Sequence, residues 1–209
     1  MGLDGEAGRI LIGAVILAAG LSQRMGRPKM TLPWGRTTVI GQVVSVMVRA
    51  GVEEVRVVTG GAQKQVEAAL HDLRMAAASI QTVFNPRFAE DHMLLSLQTG
   101  LASLPEGVQA ALVALGDQPQ VQVEVVQAVI QAYRETGAAL IVPSYQMRRG
   151  HPWLIERGLW EKALALQPPH TLRDVLNQNA AQIHYLPVET DTVLRDLDTP
   201  QEYASQRPQ

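Results

Sequence analysis

"ILIGAVILAAGLSQRMGRPK", residues 10–29, is the stretch on which the reading of this chain turns. Its first eight residues (10–17) are an unbroken apolar run, the pattern of a strand covered on both faces. The run gives way to a loop carrying Gly20, Gly26 and three cations, Arg24, Arg27 and Lys29. Packing a core does not call for that crowd of charge, whereas binding an anion does. Glycines let backbone N–H groups approach a phosphate closely, and Arg24 and Lys29 can add charge-assisted hydrogen bonds. Two familiar phosphate loops do not fit. The P-loop needs Gly-Lys-Ser/Thr, but residues 26–29 read Gly-Arg-Pro-Lys, and no G-x-G-x-x-G follows the strand.

Outward from this loop the chain alternates. A helix is expected near 37–50, where Ile40, Val43, Val44 and Met47 share one face and Gly51 supplies a stop. Residues 54–59 read as a strand, 63–70 as a short helix, 80–84 as a strand, 94–104 as a helix and 110–115 as another apolar strand. Val126, Val129, Ile130 and Tyr133 mark a helix closed by Gly137, followed by a strand at 138–142. Repeated strand–helix units imply an α/β protein, a Rossmann-like three-layer αβα sandwich around a mostly parallel sheet. Ligands of such sheets sit beyond the carboxyl ends of the strands. After Pro143 the alternation loosens: short helical segments fall near 157–166 and 171–178, and short strands near 182–186 and 192–195. One domain over 1–209 is expected, with residues 144–180 as an insertion or lid that binds substrate.

Composition narrows the function. A chain of 209 residues that is 46% hydrophobic can bury one sizeable core, built from aliphatic residues because only 4% are aromatic. A formal net charge of −2 with no long basic run argues against nucleic-acid binding. The absence of cysteine excludes disulfides, thiolate metal sites and cysteine nucleophiles. The opening residues lack the basic region of a signal peptide, Glu6 makes Gly2 a poor myristoylation site, and the apolar run is too short to span a membrane. A soluble cytoplasmic protein is expected.

Several other residues are candidates for chemistry. Asp117 stands just past the strand 110–115 in Gly-Asp-Gln-Pro, where a carboxylate faces the ligand edge of a sheet. A hard cation such as Mg2+ takes one or two carboxylates together with triphosphate oxygens, so Asp117 reads as a metal ligand, the alternative being a turn Asp that binds its own backbone. Asp196 and Asp198 flank Leu197, so in extended chain both carboxylates face one side while the leucine packs inward. Asp198 can alternatively cap the last helix, with Thr199 or Pro200 at its start. His151, in Arg-Arg-Gly-His-Pro, sits in a loop suited to anions. Met93 and Leu97 read as core, and Trp34, Trp153 and Trp160 fit packing as well as function.

L-A-A-G-x-S-x-R-M-G-x-x-K, complete from Leu17 to Lys29, resembles the opening motif of the nucleotidyltransferases, and within them the molybdenum cofactor cytidylyltransferase branch of the MobA-like proteins. "GDQP" (116–119), "RRGHPWLI" (148–155), "HTLRDVL" (170–176) and "DLDTPQEY" (196–203) resemble further motifs of the same family, so the likeness runs from about residue 13 to 203. The closing motif departs mildly, with Pro200-Gln201-Glu202 where Pro-Glu-Asp is common.

The resemblance implies a Rossmann-like fold and transfer of CMP from CTP to the terminal phosphate of molybdopterin, with release of pyrophosphate and dependence on Mg2+. It implies nucleotide binding by Leu17, Ala18, Ala19, Gly20, Arg24, Lys29 and Ser96, with Arg24, Lys29 and Asp117 catalytic. Asp117 would share the metal with Asp198 or Asp196, and Arg149 and His151 would meet the acceptor. The partners implied are CTP or another nucleoside triphosphate, molybdopterin, and a molybdoenzyme or its chaperone. Two other readings share the motifs: a relative using GTP or a different small phosphate, such as a sugar phosphate, and a non-catalytic nucleotide-binding homologue. The intact set Arg24, Lys29, Asp117 and Asp198 favours catalysis, while CTP over GTP follows from the branch resemblance alone.

Overall fold

The apolar run does become a strand at the heart of the sheet. In the computed structural model, which describes residues 10–76, 79–90 and 92–208, β1 (Ile12–Ala18) is buried along its whole length. The readings made on residues 1–9, Gly2 and Glu6 among them, lie outside the described residues. A short hairpin, β2 (Pro33–Trp34) and β3 (Thr37–Thr38), leads into helix α1 (Val39–Arg49). The Thr38 side chain caps that helix by accepting from the Gly41 N–H, which fixes its start two residues later than periodicity alone suggests. Then come β4 (Glu54–Thr59), α2 (Gln63–Ala69), α3 (His71–Ala76) and β5 (Ile80–Phe84). Helix α4 (Met93–Ala102), β6 (Ala110–Leu115), α5 (Val123–Thr136) and β7 (Leu140–Tyr145) continue the alternation.

The sheet runs β5-β4-β1-β6 as parallel neighbours. Alternate residues of β1 feed two cores, as the two-residue period of a strand demands. Ile12, Ala14 and Ile16 meet Ile40, Val44 and Met47 of α1 and Val126, Val129 and Ile130 of α5. Val15 and Leu17 meet Leu94, Leu97 and Leu101 of α4 on the opposite face. Helices therefore cover both sides, in the three-layer αβα arrangement that the alternation implies. Packing of α4 onto β1 is close: a Cβ on Gly100 would lie 2.2 Å from a Val15 methyl.

Beyond β7 the segment 144–180 is built into the sheet. It supplies β8 (Arg148–Arg149), which turns back on β7, and β9 (Trp153–Glu156), which runs antiparallel between β6 and β7. Trp153, Leu154 and Ile155 are buried there, a continuous apolar run like that of any central strand. Helices α6 (Trp160–Ala165) and α7 (Leu172–Gln178) then pack on the α4 side. Trp34, Trp153 and Trp160 are all buried in hydrophobic clusters. The last strand, β10 (Ile183–Pro187), pairs with β7 in parallel at the sheet edge.

The short strand expected near 192–195 does not form. Residues Asp191–Leu194 make a 3-10 turn, because the Thr190 side chain accepts from the Thr192 N–H and closes the chain locally. The final helix, α8 (Pro200–Gln206), starts from a full capping box of Thr199 and Glu202 with Pro200 in its first turn.

Candidate functional site

The carboxyl ends of β1 and β6 are side by side, so the loops leaving them meet. Gly116 makes this possible: its N–H donates to the Leu17 carbonyl at 2.9 Å, and a Cβ there would press on that carbonyl and on Met30 at 3.0 Å. The loop after β1 is held from within. Ser22 adopts a φ of 51°, in the left-handed region that side chains rarely enter, and its Oγ accepts from the Lys29 N–H at 3.2 Å. Gly26 takes the second left-handed position, with φ of 65°. Buried Met25, Leu32 and Trp34 anchor the loop to Leu197 and Tyr203 near the chain's end.

That anchoring brings residues far apart in sequence together. The Lys29 ammonium contacts Asp117 Oδ2 at 2.5 Å and Asp198 Oδ1 at 3.1 Å, and Arg24 reaches Asp198 Oδ2 at 3.0 Å. Burial works against the Lys29 charge, but the attraction and hydrogen bonds of Asp117 and Asp198 outweigh it and raise its pKa. Lys29 therefore stays cationic throughout the neutral range. Burial also opposes ionisation of Asp198, yet its hydrogen bond with Lys29 and the neighbouring Arg24 charge hold its carboxyl below the usual range. The Arg24 side chain is 71% exposed, so its ion pair is weak, about 0–1 kcal/mol, and the guanidinium can leave for an incoming anion.

Asp196 and Asp198 do flank an inward-packed leucine. Leu197 is fully buried, and its N–H donates to the Asp117 carbonyl at 3.1 Å, tying the closing motif to the Gly-Asp-Gln-Pro turn. Asp198 does not cap α8; Thr199 does, and this leaves the Asp198 carboxylate free for Lys29 and Arg24. Gln118 Nε2 donates to Asp196 Oδ1 at 2.7 Å. The closeness of the cleft walls and then the Asp117 charge push the Asp196 carboxyl up.

Between these loops opens a cleft of about 410 Å³, within the range of small-ligand sites. Leu17, Ala19, Gly20, Arg24, Lys29 and Ser96 line it together with Asp117, Asp196 and Asp198. Ala18 ends β1 beneath it, buried. Met93, expected in the core, opens α4 at the mouth of the cleft and is 56% exposed, while Leu97, one turn on, is buried as expected. Sequence reasoning gave no role of their own to Ser22 or Gln118, although both lie inside quoted motifs. Gln118 had a signal in its place within the Gly-Asp-Gln-Pro turn and Ser22 in the Leu17–Lys29 motif; that Ser22 Oγ holds the Lys29 N–H is visible only in the fold.

The acceptor candidates lie apart from the lining of the cleft. Arg149 Nε and Nη2 donate to the Tyr185 hydroxyl at 3.0 and 2.6 Å, and Nη1 donates to Asn177 Oδ1 at 2.7 Å, across α7 and β10. His151 is half-buried against β6. Its N–H donates to the Val193 carbonyl, and its ring Nδ1 lies 3.2 Å from the Val113 carbonyl. A carbonyl only accepts, so Nδ1 carries the proton and Nε2 is left as an acceptor. Burial pushes the His151 pKa down despite that bond and the Asp117 charge, so the ring is neutral at pH 7.

Asp117, Asp196 and Asp198 offer the oxygen donors that a hard divalent ion takes. Among the described residues no three carboxylates or histidines already converge on one point. The Lys29 ammonium is bonded to both Asp117 and Asp198. Two of these carboxylates with phosphate oxygens would fit such an ion.

A mostly parallel sheet with a cationic glycine loop after its first strand and carboxylates at the carboxyl edge defines the nucleotidyltransferase class. The model of the MobA-like NTP transferase domain matches residues 14–183, and the chain belongs to that family. It is 26% identical over 193 residues to the molybdenum cofactor cytidylyltransferase of Escherichia coli K12, covering 92% of this chain and 93% of that one. Among solved structures, Rv0371c of Mycobacterium tuberculosis H37Rv superposes with a TM-score of 0.79 at 27% identity, covering 93% of this chain and 96% of that one. A manganese complex of Rv0371c matches with a TM-score of 0.72 at 26% identity, over 93% and 97% of the two chains. Among the described residues no helix is long and apolar enough to cross a membrane.

Proposed function

We propose that the protein transfers CMP from CTP to the terminal phosphate of molybdopterin, releasing pyrophosphate. The observation that carries this reading is the cluster of Lys29, Arg24, Asp117 and Asp198 in one cleft beside the glycine loop. An oxygen of the acceptor phosphate attacks the α-phosphorus, a new P–O bond forms, and the bond to the β-phosphate oxygen breaks. The acceptor phosphate is already ionised at neutral pH, so no general base is required. Chemistry of this kind rests on positioning and charge, and no covalent nucleophile is needed.

The backbone from Leu17 to Gly20 would cradle the triphosphate while Arg24 and Lys29 neutralise it. Ser96 would contact the nucleoside. Asp117 with Asp198 or Asp196 would hold Mg2+, which neutralises and orients the phosphate oxygens when bound. The E. coli relative's activity and the manganese complex of Rv0371c support the acceptor and the metal. Arg149 and His151, in the 144–180 segment, would receive molybdopterin, with His151 offering Nε2 as a neutral acceptor rather than acting as a base. Cytoplasmic residence suits such substrates.

Incubating the protein with molybdopterin, Mg2+ and each nucleoside triphosphate in turn, and measuring pyrophosphate, tests the reading. Release with CTP that requires molybdopterin is expected. Release with GTP instead would shift the reading to a guanylyl transfer, and release with none would overturn it.

A further inference from the structure

The hydrogen bonds behind Ser96 run in one direction only. Asn85 is 2% exposed and is held at four points. Its N–H donates to the Thr59 carbonyl at 2.9 Å, its own carbonyl accepts from the Phe88 N–H at 3.2 Å, and its Oδ1 accepts from the Arg87 N–H at 2.9 Å. The fourth contact joins its Nδ2 to Ser96 Oγ at 3.1 Å. A backbone N–H can only donate, so the Arg87 bond fixes which end of the Asn85 amide is oxygen. The amide nitrogen must then face Ser96, and Ser96 Oγ must accept. The hydroxyl hydrogen is left over. Ser96 is 6% exposed, lines the cleft, and no described residue accepts from it.

The cleft also has two ends of different character. Arg24 and Lys29 crowd the end near the carboxylates, whereas α4 brings Ser96 and Met93, with Leu17 and Leu115 nearby in the lining. A triphosphate takes the cationic end, so Ser96 meets the uncharged half of the nucleotide.

We propose that Asn85 is a positioning residue: it sets the polarity of the Ser96 hydroxyl, making it a donor to an uncharged acceptor oxygen of the nucleoside. This rests on the nucleotide reading of the cleft given above. Reversing the polarity is the direct probe. In Asn85→Asp the carboxylate still accepts from the Arg87 N–H but draws the Ser96 hydroxyl toward itself, so Ser96 turns a lone pair toward the ligand's oxygen.

The experiment is a double-mutant cycle on CTP binding, by calorimetry and by the KM and kcat of pyrophosphate release. Asn85→Asp and Ser96→Ala should each weaken CTP about tenfold, the scale of one lost hydrogen bond to a desolvated partner, with kcat within about twofold. The double variant should be no worse than Ser96→Ala alone, an equality that a purely structural role for Asn85 would not produce. If Asn85→Asp does not fold, Asn85→Ala made with Ser96 intact and with Ser96→Ala supplies the same cycle. Repeating the cycle with 2′-deoxy-CTP tells ribose from base: the effect of Ser96→Ala vanishes if the 2′-oxygen is the acceptor and persists if it is the base carbonyl. Loss on Ser96→Ala with none on Asn85→Asp, or additive losses in the double variant, overturns the role of Asn85 alone. No loss on Ser96→Ala overturns this inference together with the nucleoside contact on which it rests.

Discussion

Lys29 occupies the place where charge of opposite sign must be handed over. Its ammonium is paired with Asp117 and Asp198; were those carboxylates to take up a divalent ion beside a triphosphate, Lys29 would turn to phosphate. Lys29→Ala should lower nucleotidyl transfer by about 3 kcal/mol, roughly a hundredfold, with the fold verified by circular dichroism. The same variant should take up Mn2+ without nucleotide more tightly than wild type, which paramagnetic resonance can read. Equal activity would remove Lys29 from the reaction. The pH dependence follows from the shifts. A lysine whose pKa is raised by folding contributes stability that is complete below its ordinary value of 10.5 and is lost as pH rises through the elevated one. The depressed Asp198 contributes above 3.8 and fails as pH falls through its lowered value. The ion cluster is therefore whole across the neutral range, and titrating Lys29 should leave no alkaline limb on activity near pH 8. Most of these residues were legible in the sequence, because core packing does not call for cations after one buried strand and a carboxylate after another. The short contacts among them were not, since residues 29, 117 and 198 meet only through tertiary folding.

Among elements, α8 matters more than its length suggests. Glu202 accepts from the Thr199 N–H at 2.8 Å and the Asp198 N–H at 2.9 Å, so the capping box also fixes the backbone that carries the Asp198 carboxylate. Thr199→Ala should cost about 1 kcal/mol of stability in a denaturant titration. With Asp198 as a metal ligand it should also raise the Mg2+ concentration needed for half-maximal activity, because Glu202, no longer held by the Thr199 hydroxyl, fixes the Asp198 N–H less firmly. A stability loss with unchanged Mg2+ dependence would separate the cap from the site. The Glu202 carboxyl is held low by these hydrogen bonds, so the cap's contribution is present above the ordinary carboxylate range and disappears as pH falls through the lowered value. Elements were unevenly readable from sequence. Helices α1 and α5 carry long one-sided apolar patterns and came out within a few residues. β9 was missed because Trp153-Leu154-Ile155 is too short to separate from a loop, and nothing local says that it enters the sheet antiparallel between β6 and β7. The turn at 191–194 was misread because its apolar Val193 and Leu194 look like strand residues, while the Thr190 cap that curls them is a side-chain effect.

At the scale of the whole molecule, one rigid sheet presents a charged cleft at its carboxyl edge and a separate cluster around Arg149 and His151. Nucleotide and acceptor would thus be gripped by different parts of the chain. His151→Ala should raise the KM for molybdopterin several-fold and leave CTP affinity within about twofold, since irregular segments on a fixed scaffold carry specificity. If CTP affinity falls while the response to molybdopterin does not, the loop belongs to the nucleotide side.

Transfer of label tests most directly whether this cleft moves CMP onto molybdopterin. CTP labelled at the α-phosphate is incubated with molybdopterin and Mg2+, using wild type and Asp117→Asn in parallel. Label should reach molybdopterin with wild type, in step with pyrophosphate, and at a rate lower by about a hundredfold with Asp117→Asn. Label that stays on free nucleotide with wild type, or that moves equally fast with Asp117→Asn, would contradict that role of the cleft.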